Sequence, residues 1–119
     1  MFIVRRDAKN NRLYVTLSGV ISLSDARKIQ EVMFKEIAEL QPGFDIINDM
    51  SKFIRGEDAA GPILQSTITH MAEKKARQII RIVGPSKTGL MQFAKNSITN
   101  SIEIKYVPTL KEAENLLNN

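Results

Sequence analysis

The chain has 119 residues, of which 43% are hydrophobic and 25% charged, with a formal net charge of +4. That balance excludes an intrinsically disordered polypeptide, and the length suits one domain, expected to span residues 1–119. The absence of cysteine excludes disulfides, thiolate nucleophiles and sulfur-rich metal sites.

The start, Met1-Phe2-Ile3-Val4-Arg5-Arg6, is charged too soon for a signal peptide, and no apolar run approaches the roughly 20 residues that span a bilayer. A cytoplasmic location is expected. The mild positive charge favours acidic partners in general without specifying a binding mode.

Phe2 to Arg6 reads as a first strand and Asp7 to Asn11 as a turn. Leu13 to Leu17, rich in β-branched and aromatic residues, completes a hairpin. Ser22 and Asp25 have the spacing of a capping box, with Asp in place of Glu, for a helix from about Leu23 to Leu40. Its apolar residues Ala26, Ile29, Met33, Ile37 and Leu40 step by three or four and form one stripe.

Phe44 to Met50 is expected as a third strand. The adjacent Ile46 and Ile47 imply burial on both faces, as in a central parallel strand. A loop from Ser51 to Glu57 should lead to a second helix from about Asp58 to Ala76, with Pro62 in its first turns. Gln78 to Val83 reads as a fourth strand. Ser86 begins a third helix carrying Leu90, Met91, Phe93 and Ala94. Ile102 to Val107 makes a fifth strand, and Thr109 with Glu112 caps a last helix. The predicted fold class is α/β: a mixed five-stranded sheet with an N-terminal hairpin and four helices, in the order ββαβαβαβα.

That order resembles the STAS domain of bacterial anti-sigma-factor antagonists, and so do several local segments. Leu13 to Gly19 resembles the family's second strand, and Ile46 to Ser51 its central strand, which typically ends in Asp-Leu-Ser. Pro85-Ser86, Phe93-Ala94 and Pro108 to Ala113 resemble its closing region. The likeness runs over nearly the whole chain. Each motif alone is weak, and their order and spacing together carry the resemblance.

The resemblance implies a regulatory site at the start of the helix after the central strand. Relatives carry Asp-Ser-Ser-Gly there, and a partner kinase phosphorylates one serine. The corresponding run here is Asp58-Ala59-Ala60-Gly61, one residue farther from Asp49-Met50-Ser51 than usual. Alanine has no hydroxyl to accept a phosphoryl group. The resemblance therefore also reaches a divergent branch of STAS-like and lipid-transfer-like small proteins that lack the serine.

Other chemistry is sparse. His70, the one histidine, is expected as a surface or partly packed residue. Asp45, Asp49, Glu57 and Asp58 are expected to gather at the end of the third strand, where Asp49 and Asp58 suit a cation or an acid–base pair less well than helix and loop capping. Gly84 to Gly89 contains Lys87-Thr88 but lacks phosphate-loop spacing. Lys74, Lys75, Arg77 and Arg81 form a basic knot without neighbouring aromatics, which disfavours base stacking and specific nucleic-acid binding.

No cofactor, metal or catalytic residue is expected. The leading reading is a protein-interaction module that docks an anti-sigma-factor-like kinase or another regulator through Asp49, Ser51, Asp58, Ala59, Ala60 and Gly61. The second reading is a carrier of a lipid or small ligand such as a nucleotide. An enzyme built on Asp49 and Asp58 comes third. Exposed sheet edges leave room for a homodimer.

Overall fold

In the computed structural model, residues 1–83 and 102–118 are described. Strand β1 (Phe2–Asp7) pairs antiparallel with β2 (Arg12–Ile21). Parallel pairing then adds β3 (Asp45–Gly56), β4 (Gln78–Ile82) and β5 (Glu103–Val107), and the spatial order follows the chain order, β1-β2-β3-β4-β5. Helix α1 (Leu23–Ile37) links β2 to β3, and α2 (Gly61–Glu73) links β3 to β4. Helix α3 (Leu110–Asn118) follows β5.

The predicted mixed five-stranded sheet is present, and its central strands run parallel. The order among the described residues is ββαβαββα, with three α-helices rather than four. The expected third helix, from Ser86 to Ala94, lies outside the described residues, as do Lys87 and Thr88.

The alternation of strand side chains divides the core between the two sheet faces. On one face, Leu13, Val15, Leu17, Ile46, Met50 and Ile79 pack under α1 and α2. On the other, Ile47, Ile80, Ile82 and Val107 pack under Ala113 of α3. Ile46 and Ile47 are each 1% exposed on opposite faces, as their adjacency implied.

Helix α1 begins as its sequence dictates. The Ser22 hydroxyl accepts from the Asp25 N–H at 3.0 Å, and the Asp25 carboxylate accepts from the Ser22 N–H at 3.4 Å. Ser22→Ala is expected to lower stability by about 0.5–2 kcal/mol in chemical denaturation. The helix ends at Ile37 rather than Leu40, because the last residues tighten into turn bonds, Glu39 N–H to Glu36 O and Leu40 N–H to Ile37 O.

The larger departure is in β3. The loop expected over Ser51 to Glu57 is instead strand to Gly56, paired with β2 through Ser18↔Lys52, Gly19↔Phe53, Val20↔Arg55 and Ile21↔Gly56. Two register shifts interrupt this pairing. Each places an extra β3 residue against β2, which erases the simple alternation that marks a strand in sequence. Gly19 sits at the second shift with φ of 70°, a left-handed conformation that glycine adopts without strain.

Helix α2 packs on α1 through apolar residues and one polar node. Gln30 Nε2 donates to Ser66 Oγ at 2.6 Å and Thr67 Oγ1 at 3.2 Å. His70 stacks on Phe34, with ring centroids 3.7 Å apart and planes inclined by 25°. Burial, and next the nearby Lys74, hold its imidazole below the ordinary value of 6.5. The fold therefore favours neutral His70. Stability is complete above the unfolded-state value and declines as pH falls below it, levelling off beneath the folded-state value. His70→Gln should flatten that slope in denaturation curves collected between about pH 7 and pH 5.

Candidate functional site

The candidate site lies beyond the carboxyl ends of the parallel strands, where β3 hands over to α2. Open α/β sheets present their ligand and partner surfaces at such an end. Asp58–Ala60 forms a single 3₁₀ turn, and α2 begins at Gly61, three residues later than the expected start at Asp58. Asp58 does not cap the helix. Residue Ala60 occupies the N-cap position, where alanine offers no side-chain acceptor. Pro62 occupies the first turn, where its missing N–H costs little.

The two alanines occupy different environments. Ala59 is exposed, whereas Ala60 is 0% exposed and belongs to the core cluster between α1 and α2. Glu57 and Asp58 beside them are exposed, and Gly61 is half-buried. This end of the structure therefore presents two acidic side chains and one methyl group around the entrance to α2.

Asp49 and Ser51 sit earlier on β3, both half-buried. The Asp49 Oδ1 accepts from the Ser51 N–H at 3.0 Å and from its hydroxyl at 2.7 Å. Asp49 thus engages Ser51 across the first register shift within β3, where a loop cap was expected, and its oxygen is bonded within the chain. No group of three or more potential metal ligands occurs among the described residues.

The expected gathering of four carboxylates is corrected. Asp45 opens β3, at the opposite end from Asp58, because the strand continues for 12 residues. There it accepts two bonds from Arg77, at 2.8 and 2.7 Å, and one from Gln78 Nε2 at 3.2 Å. This bidentate pair clamps the amino-terminal ends of β3 and β4.

The basic knot also separates. Arg77 turns to Asp45, and Arg81 is 1% exposed inside the sheet. Burial pushes the Arg81 guanidinium below its ordinary value, opposed by its hydrogen bond to Tyr106 on β5. The period of two puts Arg81 on the same face as Ile79, so its place in the core was available from the sequence once β4 was assigned. Its charge points away from that reading, since arginine is seldom fully buried. Phe53 falls within the loop expected over Ser51 to Glu57, yet it is 2% exposed in the core cluster.

Beneath α2 is a cavity of about 30 Å³, lined by Leu17, Met33, Asn48, Thr67, Met71 and Arg81 among others. That volume suits water. Ligand pockets for organic molecules span about 300 Å³ or more. No helix among the described residues is long and apolar enough to cross a membrane.

No protein-family model and no curated protein matches this chain. Solved structures do. An uncharacterised protein of the DUF3478 family with a SpoIIAA-like fold, from Shewanella loihica, superposes with a TM-score of 0.74 at 14% identity, over 98% of this chain and 92% of its own. The anti-sigma factor antagonist SpoIIAA in its unphosphorylated form gives 0.70 at 12% identity, over 100% and 99%. An anti-sigma factor antagonist from Mycobacterium paratuberculosis gives 0.63 at 16%, over 100% and 94%. With a hairpin leading into parallel strands and a helix entrance at the end of the central strand, the chain has a STAS-like, SpoIIAA-type fold.

Proposed function

We propose that the chain is a non-enzymatic regulatory module that docks a protein partner at the entrance to α2, without the covalent switch that a hydroxyl would provide. Of the residues expected to dock, Asp58 and Ala59 are exposed and Gly61 half-buried at this entrance and form the proposed surface, while Ala60 lies beneath them in the core and Asp49 and Ser51 sit earlier on β3. One observation carries the reading. The Asp58–Ala60 turn stands at the mouth of α2 in a fold shared with anti-sigma factor antagonists, and it contains no hydroxyl.

Further support comes from the space under α2. A carrier needs a chamber, and the cavity under α2 has a volume of only about 30 Å³. The acidic pair Glu57 and Asp58 remains exposed and free to meet a basic partner surface. The proposed partner is an anti-sigma-factor-like kinase or another regulator.

Phosphorylation mapping tests the switch-free part of this proposal. The chain is recovered from the cells that express it, and its 49–66 segment is sequenced by tandem mass spectrometry in growing and in starved cells. The segment is expected to be unmodified in both. Phosphate on Ser51 or Ser66 in either state would contradict the proposal.

A further inference from the structure

Strand β5 is the outer strand of the sheet among the described residues, paired with β4 on one side only. Its sequence, Glu103-Ile104-Lys105-Tyr106-Val107, has no proline, glycine or bulge to blunt the edge. Alternation puts Glu103, Lys105 and Val107 on the α3 side of the sheet and Ile104 and Tyr106 on the other. Lys105 Nζ lies 3.8 Å from Glu103 Oε1 within the strand, and the two side chains are 42% and 66% exposed.

Apolar surface continues on both sides of this edge. Tyr106 is 44% exposed on one face. On the other, Leu116 of α3 is 41% exposed. Glu114 on the same helix reaches the Tyr14 hydroxyl of β2 at 3.4 Å. Leu116 lies about 160° around the helix from Glu114, so it faces the β5 side.

We infer that β5 is a self-pairing edge: two copies of the chain join antiparallel, β5 against β5, about a two-fold axis through Ile104. In this register Glu103 of each copy opposes Lys105 of the other, giving two cross-strand ion pairs related by symmetry. Ile104 meets its own copy, and Tyr106 extends over the partner's Ile102. Each paired position has the same parity, so outward backbone groups meet outward backbone groups. The sheet becomes continuous across the axis, with both α3 helices on one face and Leu116 of each turned toward the other.

The charges select this register over its neighbours. An axis through Glu103 opposes two glutamates, and one through Lys105 opposes two lysines. Parallel pairing in register brings each charge against its like. An axis between residues would bring opposite sheet faces together. A second copy is thus the occupant that complements this edge in charge, backbone and apolar surface at once. Five residues per strand make a contact below the range of about 1,200–2,000 Å² that specific, stable interfaces bury, so the dimer is weak, with a dissociation constant on the order of 100 µM.

Sedimentation equilibrium of the full chain, from about 10 µM to 1 mM at low salt, tests the inference. The wild type is expected to dimerise. Glu103→Lys and Lys105→Glu each convert both ion pairs to like-charge pairs and should weaken the dimer roughly tenfold or more. The double exchange E103K/K105E restores opposite charges across the axis and should recover wild-type affinity. Circular dichroism confirms that each variant is folded. A wild type that stays monomeric throughout would overturn the inference. So would a dimer indifferent to both single reversals, or a folded double variant that fails to recover.

Discussion

Phe53→Ala is expected to lower the free energy of unfolding by about 3–5 kcal/mol, measured by chemical denaturation at neutral pH. The side chain is 2% exposed and packs in the core with Met50, Ala60 and the helices that cover them. Truncation removes most of an aromatic side chain from a site that the β2–β3 ribbon holds in place. Part of the cost is lost transfer energy and part is the cavity left behind. Had the segment been the exposed loop that its polar neighbours suggest, the same change would cost within about 0.5 kcal/mol. A result in that lower range would show that β3 ends near Met50. Because Phe53 lies seven residues before Ala60 and shares its cluster, the variant should also loosen the entrance to α2. Hydrogen exchange at Gly61 and Ile63 would report that loosening as faster amide exchange.

The second large effect distinguishes the two alanines at the entrance. Ala60→Asp is expected to destabilise the chain by on the order of 3 kcal/mol or more, because it forces a carboxylate into a fully buried position. Ala59→Asp, one residue away and exposed, should stay within about 0.5 kcal/mol of wild type. The N-terminus of α2 nearby offsets part of any repulsion from Glu57 and Asp58. Thermal melts of the two variants side by side check the contrast. Equal effects would mean that the turn does not bury one methyl and expose the other. The contrast also bears on function. Of the two positions, only 59 is placed to present a side chain to another protein without opening the core.

Elements whose pattern agreed at several levels were legible in the sequence. Helix α1 has a capping box at Ser22 and Asp25 and an apolar stripe from Ala26 to Ile37, and both are present. The adjacent Ile46 and Ile47 marked β3 as buried on both faces, and so it is. The carboxyl-terminal extension of β3 was hidden, because two register shifts break the alternation between Ser51 and Gly56. The start of α2 was placed early because Asp58 is a favourable capping type, whereas the chain makes a 3₁₀ turn first and leaves Ala60 at the N-cap. Arg81 lies close in sequence to Lys74, Lys75 and Arg77, which makes the four look like one basic knot. The strand then turns its side chain inward, while Arg77 answers Asp45 at the far end of the sheet.

The place of the α2 entrance, where the candidate site lies, was legible for a topological reason. A helix that follows a central parallel strand must begin at the carboxyl end of the sheet, whatever the exact length of the connection. Its detailed surface was not. Which alanine is covered depends on how the 3₁₀ turn seats against α1, and neither residue carries a side chain that signals the answer.

Site-specific photo-crosslinking tests the docking claim most directly. A photoreactive amino acid is placed at position 59, or at position 9 in the exposed hairpin turn at the opposite end of the sheet. Illumination in the cells that express the chain is expected to join a discrete protein to position 59 and not to position 9. Failure to form any adduct at 59, or the same adducts from both positions, would contradict docking at the entrance to α2.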